Sequence, residues 1–246
     1  MRNRRFLGRR HSEGRAIAAG VLGGGGVAAS PLLSGLLAWW SMDETSGTRV
    51  DSHGSYDLAD ENGVGYAAGV TGNAADFNPA ASQWLKATSA DLKILQGDFT
   101  IAGWIYLRSV YDTSNYRTIV RNGEGWGTGG VHLKVSSTRS FAYQYFDKDN
   151  DLVTVHAGAA APLNEWYCFA ARHISAAKRI ELWNGRSGNW VTNTYTFDSQ
   201  PGREDVFVGG AANNYHDGLI DELAIWTRAL SNDEVALFYA NPVYPA

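Results

Sequence analysis

Residues 218–226 read Gly-Leu-Ile-Asp-Glu-Leu-Ala-Ile-Trp, and residues 227–235 continue Thr-Arg-Ala-Leu-Ser-Asn-Asp-Glu-Val. Apolar side chains alternate with others from Leu219 to Trp226, and this period of two predicts a half-buried β-strand. Asp221 and Glu222 are adjacent, so on a regular strand their side chains are expected to point to opposite faces.

A short C-terminal helix is predicted directly after this strand. Ser231 and Glu234 have the spacing of a capping box, in which each side chain accepts a hydrogen bond from the backbone N–H of the other residue. Asn241-Pro242 is expected to end the helix, because the residue before a proline disfavours helical backbone angles.

The rest of the chain predicts short strands joined by turns. Asn184-Gly185 supplies the positive φ angles of a tight hairpin. No internal repeat or second domain is visible, and the spacing of turn signals favours an all-β sandwich of two antiparallel sheets. The predicted strands are 37–42, 74–78, 83–87, 99–107, 117–121, 130–136, 140–146, 152–157, 166–174, 178–183, 189–196, 205–209 and 217–226.

Further segments carry a family resemblance. Residues 37–47 read Leu-Ala-Trp-Trp-Ser-Met-Asp-Glu-Thr-Ser-Gly, with Asp51-Ser52-His53-Gly54 after them; residues 69–77 read Gly-Val-Thr-Gly-Asn-Ala-Ala-Asp-Phe, 99–105 Phe-Thr-Ile-Ala-Gly-Trp-Ile, and 164–170 Asn-Glu-Trp-Tyr-Cys-Phe-Ala. Together with 218–234 this ordered set resembles LamG-like domains, the laminin-G and pentraxin relatives within the concanavalin A-like lectin and glucanase superfamily. The resemblance implies a jelly roll over residues 37–246, preceded by an extended arm over residues 1–36.

Length and composition fit this architecture. A chain of 246 residues with 44% hydrophobic and 12% aromatic residues suits one large all-β domain with a real core. The single cysteine, Cys168, excludes an intrachain disulfide, and its place between Tyr167 and Phe169 predicts a buried thiol.

Charge is distributed unevenly along the chain. Residues 1–15 carry six arginines against one glutamate, which leaves 15 basic and 24 acidic side chains in the remainder. An acidic body disfavours specific nucleic-acid binding, because phosphate binding needs a positive surface. Within the basic arm, the predicted partner-binding residues are Arg4, Arg5, Arg9 and Arg10.

The N-terminal segment has two interpretations, which the sequence leaves open. One is a cleaved secretory signal, with an apolar region from Ala16 to Ala28 and a small-residue cleavage site before Ser30. The other is a retained arm that binds other subunits of an assembly through residues 1–38. No stretch predicts a transmembrane span, and a homo-oligomer is compatible with either interpretation.

A calcium site is implied by the resemblance. On this chain the residues that match the family's calcium signatures are Asp43, Asp51 and Asp221, and Ca²⁺ prefers such oxygen ligands. The alternative is that Asp43 and Asp51 cap turns while Asp221 accepts backbone hydrogen bonds. Residues 147–151 also read Asp-x-Asp-x-Asp, but they lack the rest of a calcium loop and predict a polar hairpin tip.

Aromatic residues in loops and hairpins are candidates for sugar binding, because sugar C–H groups stack on aromatic faces. Tyr143 and Tyr145 share one strand face and are expected to form a platform. Trp104, Trp166, Trp183 and Trp226 are expected to fill the core. The predicted ligand-binding residues are Trp126, Tyr143, Tyr145, Tyr111 and Tyr215.

Catalytic patterns are missing from the sequence. Glucanases of this superfamily carry Glu-x-Asp-x-x-Glu on one strand, which sets two carboxylates close together, and this chain has no such triplet. The histidines have no zinc-ligand spacing. A glycoside hydrolase is therefore disfavoured.

The sequence predicts a non-catalytic β-sandwich that binds a glycan or a cell-surface protein, secreted or displayed on a particle surface. The alternative is a structural or decoration subunit of a virion or phage-like assembly, anchored by its arm. Fold alone does not name the ligand, since this sandwich carries many functions.

Overall fold

A computed structural model describes residues 29–92, 97–111, 115–122, 130–146, 151–198, 205–210 and 213–244. Over these ranges the chain forms fifteen strands, the helix α1 (Asn232–Ala240), and 3₁₀ turns at Pro31–Leu33, Pro79–Ala81, Ala90–Leu92 and Ser175–Ala177. No helix in the described ranges is long and apolar enough to cross a membrane. The strands are β1 (Leu36–Trp40), β2 (Ala59–Glu61), β3 (Gly65–Ala68), β4 (Asn73–Phe77), β5 (Trp84–Thr88), β6 (Phe99–Leu107), β7 (Tyr116–Asn122), β8 (Gly130–Ser136), β9 (Ser140–Phe146), β10 (Leu152–Ala160), β11 (Trp166–Ile174), β12 (Arg179–Asn184), β13 (Asn189–Thr194), β14 (Asp205–Val208) and β15 (Gly218–Trp226).

The strands form two antiparallel sheets, which confirms the predicted sandwich. One sheet has eight strands in the order β13, β12, β11, β6, β15, β4, β3, with β1 also paired to β15. The other has seven strands in the order β10, β9, β8, β7, β14, β5, β2. The stretch 218–226 lies near the centre of the larger sheet and pairs with β1, β4 and β6.

The inner core fills the space between the two sheets. Alternate residues of each strand point inward, as Val131, Leu133 and Val135 do on β8. Tyr143 and Tyr145 share one face of β9, as expected, but that face is the inner one, and their exposed fractions are 0% and 1%. The predicted ligand-binding platform is therefore wrong, because rings packed between two sheets cannot meet a ligand.

A second apolar cluster, the outer cluster, covers the outer face of the eight-stranded sheet. Ala102, Ala170 and Ala224 are register partners on β6, β11 and β15, and their small side chains leave room for α1. The helix packs Val235 and Phe238 into this space. The outer cluster therefore fixes the C-terminal helix to the sheet.

The capping box at the start of α1 is confirmed. Ser231 Oγ accepts from the N–H of Glu234 at 3.2 Å, and the N–H of Ser231 donates to Glu234 Oε2 at 2.8 Å. Arg228 donates twice to the same carboxylate, at 2.7 and 2.8 Å, which lowers the pKa of Glu234 to about 2. The helix ends at Asn241, its C-cap, as expected.

Residues 30–36, which the sequence placed in the arm, are part of the sandwich. Leu32 is buried in the outer cluster, and its carbonyl accepts from Trp226 Nε1 at 2.7 Å. Arg228 donates to the carbonyls of Pro31 and Ser34. The packed part of the chain thus begins several residues before the predicted boundary, because this short turn closes one end of the outer cluster.

The hairpin at Asn184-Gly185 is present, but its turn is longer than predicted. Strand β12 ends at Asn184 and β13 begins at Asn189, with the N–H of Gly188 donating to the carbonyl of Asn184 at 2.8 Å. The positive φ lies at Gly188. Asn184 instead uses its side-chain oxygen, which accepts from the N–H groups of Arg186 and Ser187.

Candidate ligand-binding site

A cavity of about 230 Å³ opens on the outer face of the eight-stranded sheet, beside the end of α1. We call it the aromatic pocket. The residues that line it are Trp104, Pro162, Glu165, Trp166, Tyr167, Cys168, Gly185, Arg186 and Tyr239.

Three elements distant in sequence build the aromatic pocket. Trp104 on β6 is the register partner of Cys168 on β11, so the two lie side by side on the sheet. The turn after β12 brings Gly185 against this pair, with its N–H donating to the carbonyl of Cys168 at 3.2 Å. A Cβ at Gly185 would lie 2.4 Å from that carbonyl oxygen, so only glycine fits.

The rings of the aromatic pocket are held by one another. Tyr239 stacks on Trp104 with ring centroids 5.3 Å apart and an interplanar angle of 12°. Its ring also meets Trp183 edge to face at 5.4 Å, and Trp166 meets Tyr106 in the same manner at 5.7 Å. Tyr239 is nevertheless 44% exposed, so one surface of this rigid aromatic group faces solvent.

Polar groups stand at the edge of these rings. Arg186 and Glu165 are exposed, and their charged atoms are 3.9 Å apart. An exposed pair at this distance contributes little to stability, so both groups remain able to bind a ligand. Trp104 Nε1 is buried without a hydrogen-bond partner, a costly state for a donor.

Tyr111 and Tyr215, two predicted ligand-binding residues, meet around Arg117. The Arg117 guanidinium lies 3.9 Å from the centre of the Tyr111 ring and donates to the Tyr215 carbonyl at 3.0 Å. Tyr215 also stacks on Trp84 at 5.8 Å. Each ring thus has one face covered, and ligand contact by either stays a prediction.

Other predicted residues cannot be placed. Trp126 and the arm residues Arg4, Arg5, Arg9 and Arg10 lie outside the described residues. The same is true of residues 147–150 in the predicted hairpin tip, although the strands β9 and β10 on either side of it pair as expected.

The aspartates of the predicted calcium site accept backbone hydrogen bonds. Asp51 accepts from the N–H groups of Trp39, His53 and Tyr56 at 2.9 to 3.1 Å. Asp43 accepts from the N–H of Asn73 at 2.8 Å. Asp51 thereby caps its own turn, which is the role that the sequence offered as the alternative to metal binding. Asp43 instead bonds to the start of β4, 30 residues away.

Asp221 is committed in the same way. Its Oδ2 accepts from the N–H of Val70 at 2.7 Å and of Thr71 at 3.3 Å, and its Oδ1 from the N–H of Glu222 at 2.9 Å. Within the described ranges, no group of three or more His, Cys, Asp or Glu side chains could hold a metal ion. The three aspartates therefore do not fit one calcium site as they stand, and calcium stays a prediction that a chelator melting experiment checks.

The expectation that Asp221 and Glu222 point to opposite faces is wrong. A β-bulge interrupts the pairing of β15 with β6 between Asp221 and Ala224, and Glu222 has a φ of 47°. Ile220 and Leu223 both enter the inner core, so the two carboxyls between them share the outer side. Their exposed fractions are 0% and 2%, so neither can reach a substrate.

Cys168 and three histidines, His132, His173 and His216, are buried. Burial raises the pKa of the Cys168 thiol, so it is not a nucleophile in the folded state. Burial lowers the pKa of His216 to about 4 and holds the pKa of His132 well below its usual range. These groups are neutral parts of the fold.

A laminin-G-type family model matches residues 79–236, which is more than half of the chain. The chain belongs to the concanavalin A-like lectin/glucanases superfamily. The family resemblance read from residues 218–234 and the preceding segments is thereby confirmed. No curated protein was found to be similar in sequence.

Solved structures with a similar fold include toxin chains and a sialidase. The binding domain of Paraclostridial Mosquitocidal Protein 1 has a TM-score of 0.70 at 14% identity, over 85% of this chain and 52% of that one. Botulinum neurotoxin type C, whose cell entry depends on interaction with two ganglioside molecules, gives 0.67 at 10%, over 87% and 52%. Trypanosoma rangeli sialidase in complex with sialic acid gives 0.63 at 13%, over 84% and 33%.

This chain spans about half the length of the toxin chains and a third of the sialidase. At such low identity these likenesses show the fold alone. They confirm a jelly-roll sandwich of the concanavalin A-like type.

The aromatic pocket of this superfamily member was not foreseen from sequence. Trp104 and Trp166 were expected in the core, but both are only partly buried and line the aromatic pocket. Glu165 and Arg186 were weakly indicated as binding residues by the sequence. Glu165 precedes Trp166 at the start of β11, and Arg186 lies in the turn after β12. Tyr239 follows the buried Phe238 on α1. Its sequence alone does not indicate a binding residue, because its role depends on where α1 packs on the sheet.

Proposed function

We propose that this chain is a non-catalytic glycan-binding module that works outside the cell or on a particle surface, and that the aromatic pocket contacts the glycan. The observation that carries the proposal is the combination of exposed Tyr239 and half-buried Trp166 with the charged groups of Glu165 and Arg186 around one cavity.

Sugar chemistry fits this combination. A sugar ring offers a face of C–H groups and a rim of hydroxyl groups, so it binds where a rigid aromatic surface lies beside hydrogen-bonding groups. Arg186 can donate to a hydroxyl or carboxylate oxygen, and Glu165 can accept from a hydroxyl. The ring contacts of Tyr239 and Trp166 fix their orientation before binding, which lowers the entropy lost on binding.

The structural neighbours support the same proposal at a coarser level. One is a toxin whose cell entry depends on gangliosides, and another is a sialidase in complex with sialic acid. Proteins that contain this sandwich thus include glycan-binding ones, although each neighbour extends well beyond the part that this chain matches.

Binding without catalysis is supported by the state of the acidic residues. Asp221 and Glu222 are buried and bonded to Val70, Thr71 and Trp39. Among the described residues that line the aromatic pocket, Glu165 is accompanied by Arg186 and by no second carboxylate. A retaining glycosidase needs two carboxyl groups about 5–5.5 Å apart at the sugar.

The assembly role of the basic arm stays a prediction, because residues 1–28 lie outside the described residues. Intact mass of the native protein distinguishes the two interpretations of that segment. A chain that starts near Met1 favours a retained arm, and a chain that starts near Ser30 favours secretion.

An array of immobilised neutral, sialylated and sulfated glycans tests the proposed function. We expect the wild-type protein to bind a restricted set, and the variants Trp166→Ala and Arg186→Ala to bind that set at least about tenfold more weakly. Tyr66→Ala is the matched control, since Tyr66 is an exposed aromatic on the edge strand β3, outside the aromatic pocket.

Two results would contradict the proposal. A uniformly blank array would remove glycan binding as the function. Equal binding by the wild type and by both variants would move the contact away from the aromatic pocket. Melting curves of each variant show whether a loss of binding comes from a loss of folding.

A further inference from the structure

Two oppositely charged side chains line the aromatic pocket, and their spacing bears on the kind of sugar that fits there. Arg186 Nη1 and Glu165 Oε2 are 3.9 Å apart, and the two side chains are 59% and 65% exposed. A direct hydrogen bond between a nitrogen and an oxygen spans about 2.7–3.2 Å. The two charges therefore lie close together without a hydrogen bond to each other.

The backbone under both charged residues is fixed. Glu165 precedes β11, and the N–H of its neighbour Asn164 donates to the carbonyl of Leu107 at 2.8 Å. In the turn after β12, the N–H of Arg186 donates at 3.0 Å to Oδ1 of Asn184, which is 1% exposed. Both exposed side chains therefore extend from backbone positions that the sandwich sets.

Both charged groups are available to a ligand. Among the residues that the structure describes, Arg186 and Glu165 have no second ion pair and no side-chain hydrogen bond. Other acidic or basic residues are absent from the described lining of the aromatic pocket. An exposed pair at this distance adds little to stability, so a ligand can separate the two groups at low cost.

A hydroxyl group satisfies both members of this pair at once. Its O–H donates to the carboxylate, and its oxygen accepts from the guanidinium. A hydroxyl oxygen can lie about 2.8 Å from each of two atoms that are 3.9 Å apart. Two neighbouring hydroxyls of one sugar ring can also divide the two bonds between them. Neutral sugars carry such hydroxyls around the whole ring.

Charged sugar groups satisfy only one member of the pair. A carboxylate or sulfate oxygen accepts from Arg186, but it has no proton to donate, and the negative charge of Glu165 repels it. An ammonium group donates to Glu165 and is repelled by Arg186. Because Arg186 alone would bind a hydroxyl or an anion, Glu165 is the residue that separates neutral from anionic sugars.

We propose that Glu165 makes the aromatic pocket selective for neutral sugars. Ring hydroxyls bind between Glu165 and Arg186, and the C–H face of the sugar lies on Tyr239 and Trp166. The proposal rests on the proposed function, because it takes the aromatic pocket as the glycan contact. It adds the class of sugar and the residue that decides the class.

Nuclear magnetic resonance of the ¹⁵N-labelled full chain at pH 7 tests the selectivity. The probes are three matched pairs, the methyl glycosides of galactose, glucose and mannose and those of the corresponding uronic acids, which carry a carboxylate in place of the C6 hydroxymethyl group. We expect at least one neutral probe to shift the backbone amides of 165–168 and 185–186 saturably. Its uronic acid should bind there about fivefold or more weakly.

Two variants assign the selectivity to one residue. Glu165→Gln keeps an acceptor of the same size and removes the negative charge, so the uronic acid should gain about fivefold or more and the preference should disappear. Arg186→Gln removes the cation and leaves Glu165, so the neutral probe should bind about fivefold or more weakly while the preference against the uronic acid persists.

Asp198→Asn is the matched control for net charge. Its side chain is 90% exposed and pairs with Lys178, and neither residue lines the aromatic pocket. This variant loses one negative charge, as Glu165→Gln does, and should keep the wild-type preference. Melting curves of the three variants verify that each is folded at the temperature of the titration.

The outcomes separate the selectivity from the proposed function. Equal or tighter binding of the uronic acid by the wild type would overturn the selectivity, and so would an unchanged preference in Glu165→Gln. The absence of saturable shifts at these amides with every neutral probe would overturn it as well. If the array then shows binding only to sialylated or sulfated glycans, and Trp166→Ala loses it, the proposed function stands without the neutral selectivity. A blank array removes both.

Discussion

Asp221 and Glu222 are two carboxyl groups buried side by side on the outer face of the eight-stranded sheet. Burial, with a smaller contribution from neighbouring carboxyl groups, raises the pKa of Asp221 to about 7 and that of Glu222 to about 8. The neighbouring group is Asp43 for both, and Asp221 as well for Glu222. The hydrogen bond from Trp39 Nε1 to Glu222 Oε2, 2.5 Å long, acts in the opposite direction but does not cancel burial.

These raised pKa values make stability depend on pH. The folded state keeps protons that the unfolded chain has released, so the stabilising contribution of Asp221 and Glu222 is complete below about pH 4. It is lost as the pH rises through about 7 and 8.

The variant Glu222→Gln tests this pH dependence. Gln keeps an oxygen that can accept from Trp39 and removes the charge that the folded state must bury. We expect the variant to be more stable than the wild type by about 1–3 kcal/mol near pH 8.5, and to lose that advantage near pH 5. Thermal unfolding of both proteins across this range measures the difference.

Other buried groups do not confuse this comparison. The pKa of His216 is lowered to about 4 by burial, so its contribution is lost as the pH falls below about 6.5, in the wild type and the variant alike. The difference between the two stability curves therefore reports Glu222 together with its charge interaction with Asp221. Parallel curves would show that Glu222 does not bury a charge at high pH.

At the scale of the element, strand β15 and helix α1 show what the sequence can and cannot predict. Alternation from Leu219 to Trp226 and the capping box predicted both elements. The β-bulge was missed, although Ile220 and Leu223 are three residues apart and both point inward, which a regular strand does not allow. An odd spacing of core residues was the signal that could have revealed it.

Two edge elements, β2 and β3, were also missed. Their residues read Ala-Asp-Glu and Gly-Tyr-Ala-Ala, and none of them is fully buried. Strands that are three or four residues long and mostly solvent-exposed have no apolar alternation to reveal them. Strand β2 pairs with β5 and β3 pairs with β4, so these two elements are recognised by their backbone hydrogen bonds to a neighbouring strand and not by an apolar pattern of their own.

The helix cap gives a prediction at this scale. Ser231→Ala removes the acceptor for the Glu234 N–H and leaves that donor unsatisfied at the first turn of α1. We expect a loss of about 1 kcal/mol in the free energy of unfolding. Chemical denaturation of the variant and of Ser187→Ala, a serine in an exposed turn, measures the effect, and equal losses in the two would argue against capping.

At the scale of the whole molecule, the sandwich has an inner core and an outer cluster. The outer cluster contains residues from both ends of the described chain. Leu32 near the start and Phe238 near the end pack together with Trp226 on the outer face of the larger sheet. The sequence predicted the sandwich because an ordered set of motifs spans most of it. It did not predict the joining of the ends, which depends on contacts almost 200 residues apart in sequence.

Shortening the chain tests this joining. A chain that starts at Leu36 lacks the buried Leu32 side chain and the acceptor for Trp226 Nε1. Compared with a chain that starts at Ala29, we expect it to be less stable by about 2–4 kcal/mol, from lost apolar burial and one lost hydrogen bond. Equal melting temperatures of the two chains would mean that the turn at Pro31–Leu33 adds nothing to the outer cluster.

The aromatic pocket escaped the sequence for a related reason. It joins β6, β11, the turn after β12, and α1. Sequence motifs consist of residues that are close in sequence, whereas this cavity depends on how distant elements are placed. Trp104 became a candidate only once the packing of its neighbours was known.

The single cysteine of this protein offers a chemical reporter. Cys168 lines the aromatic pocket, is 2% exposed, and has a raised pKa that keeps the reactive thiolate scarce. A maleimide is therefore expected to label it mainly when the packing around the thiol opens. The labelling rate of the unmodified chain would measure how often the aromatic pocket opens, and a bound glycan should slow it.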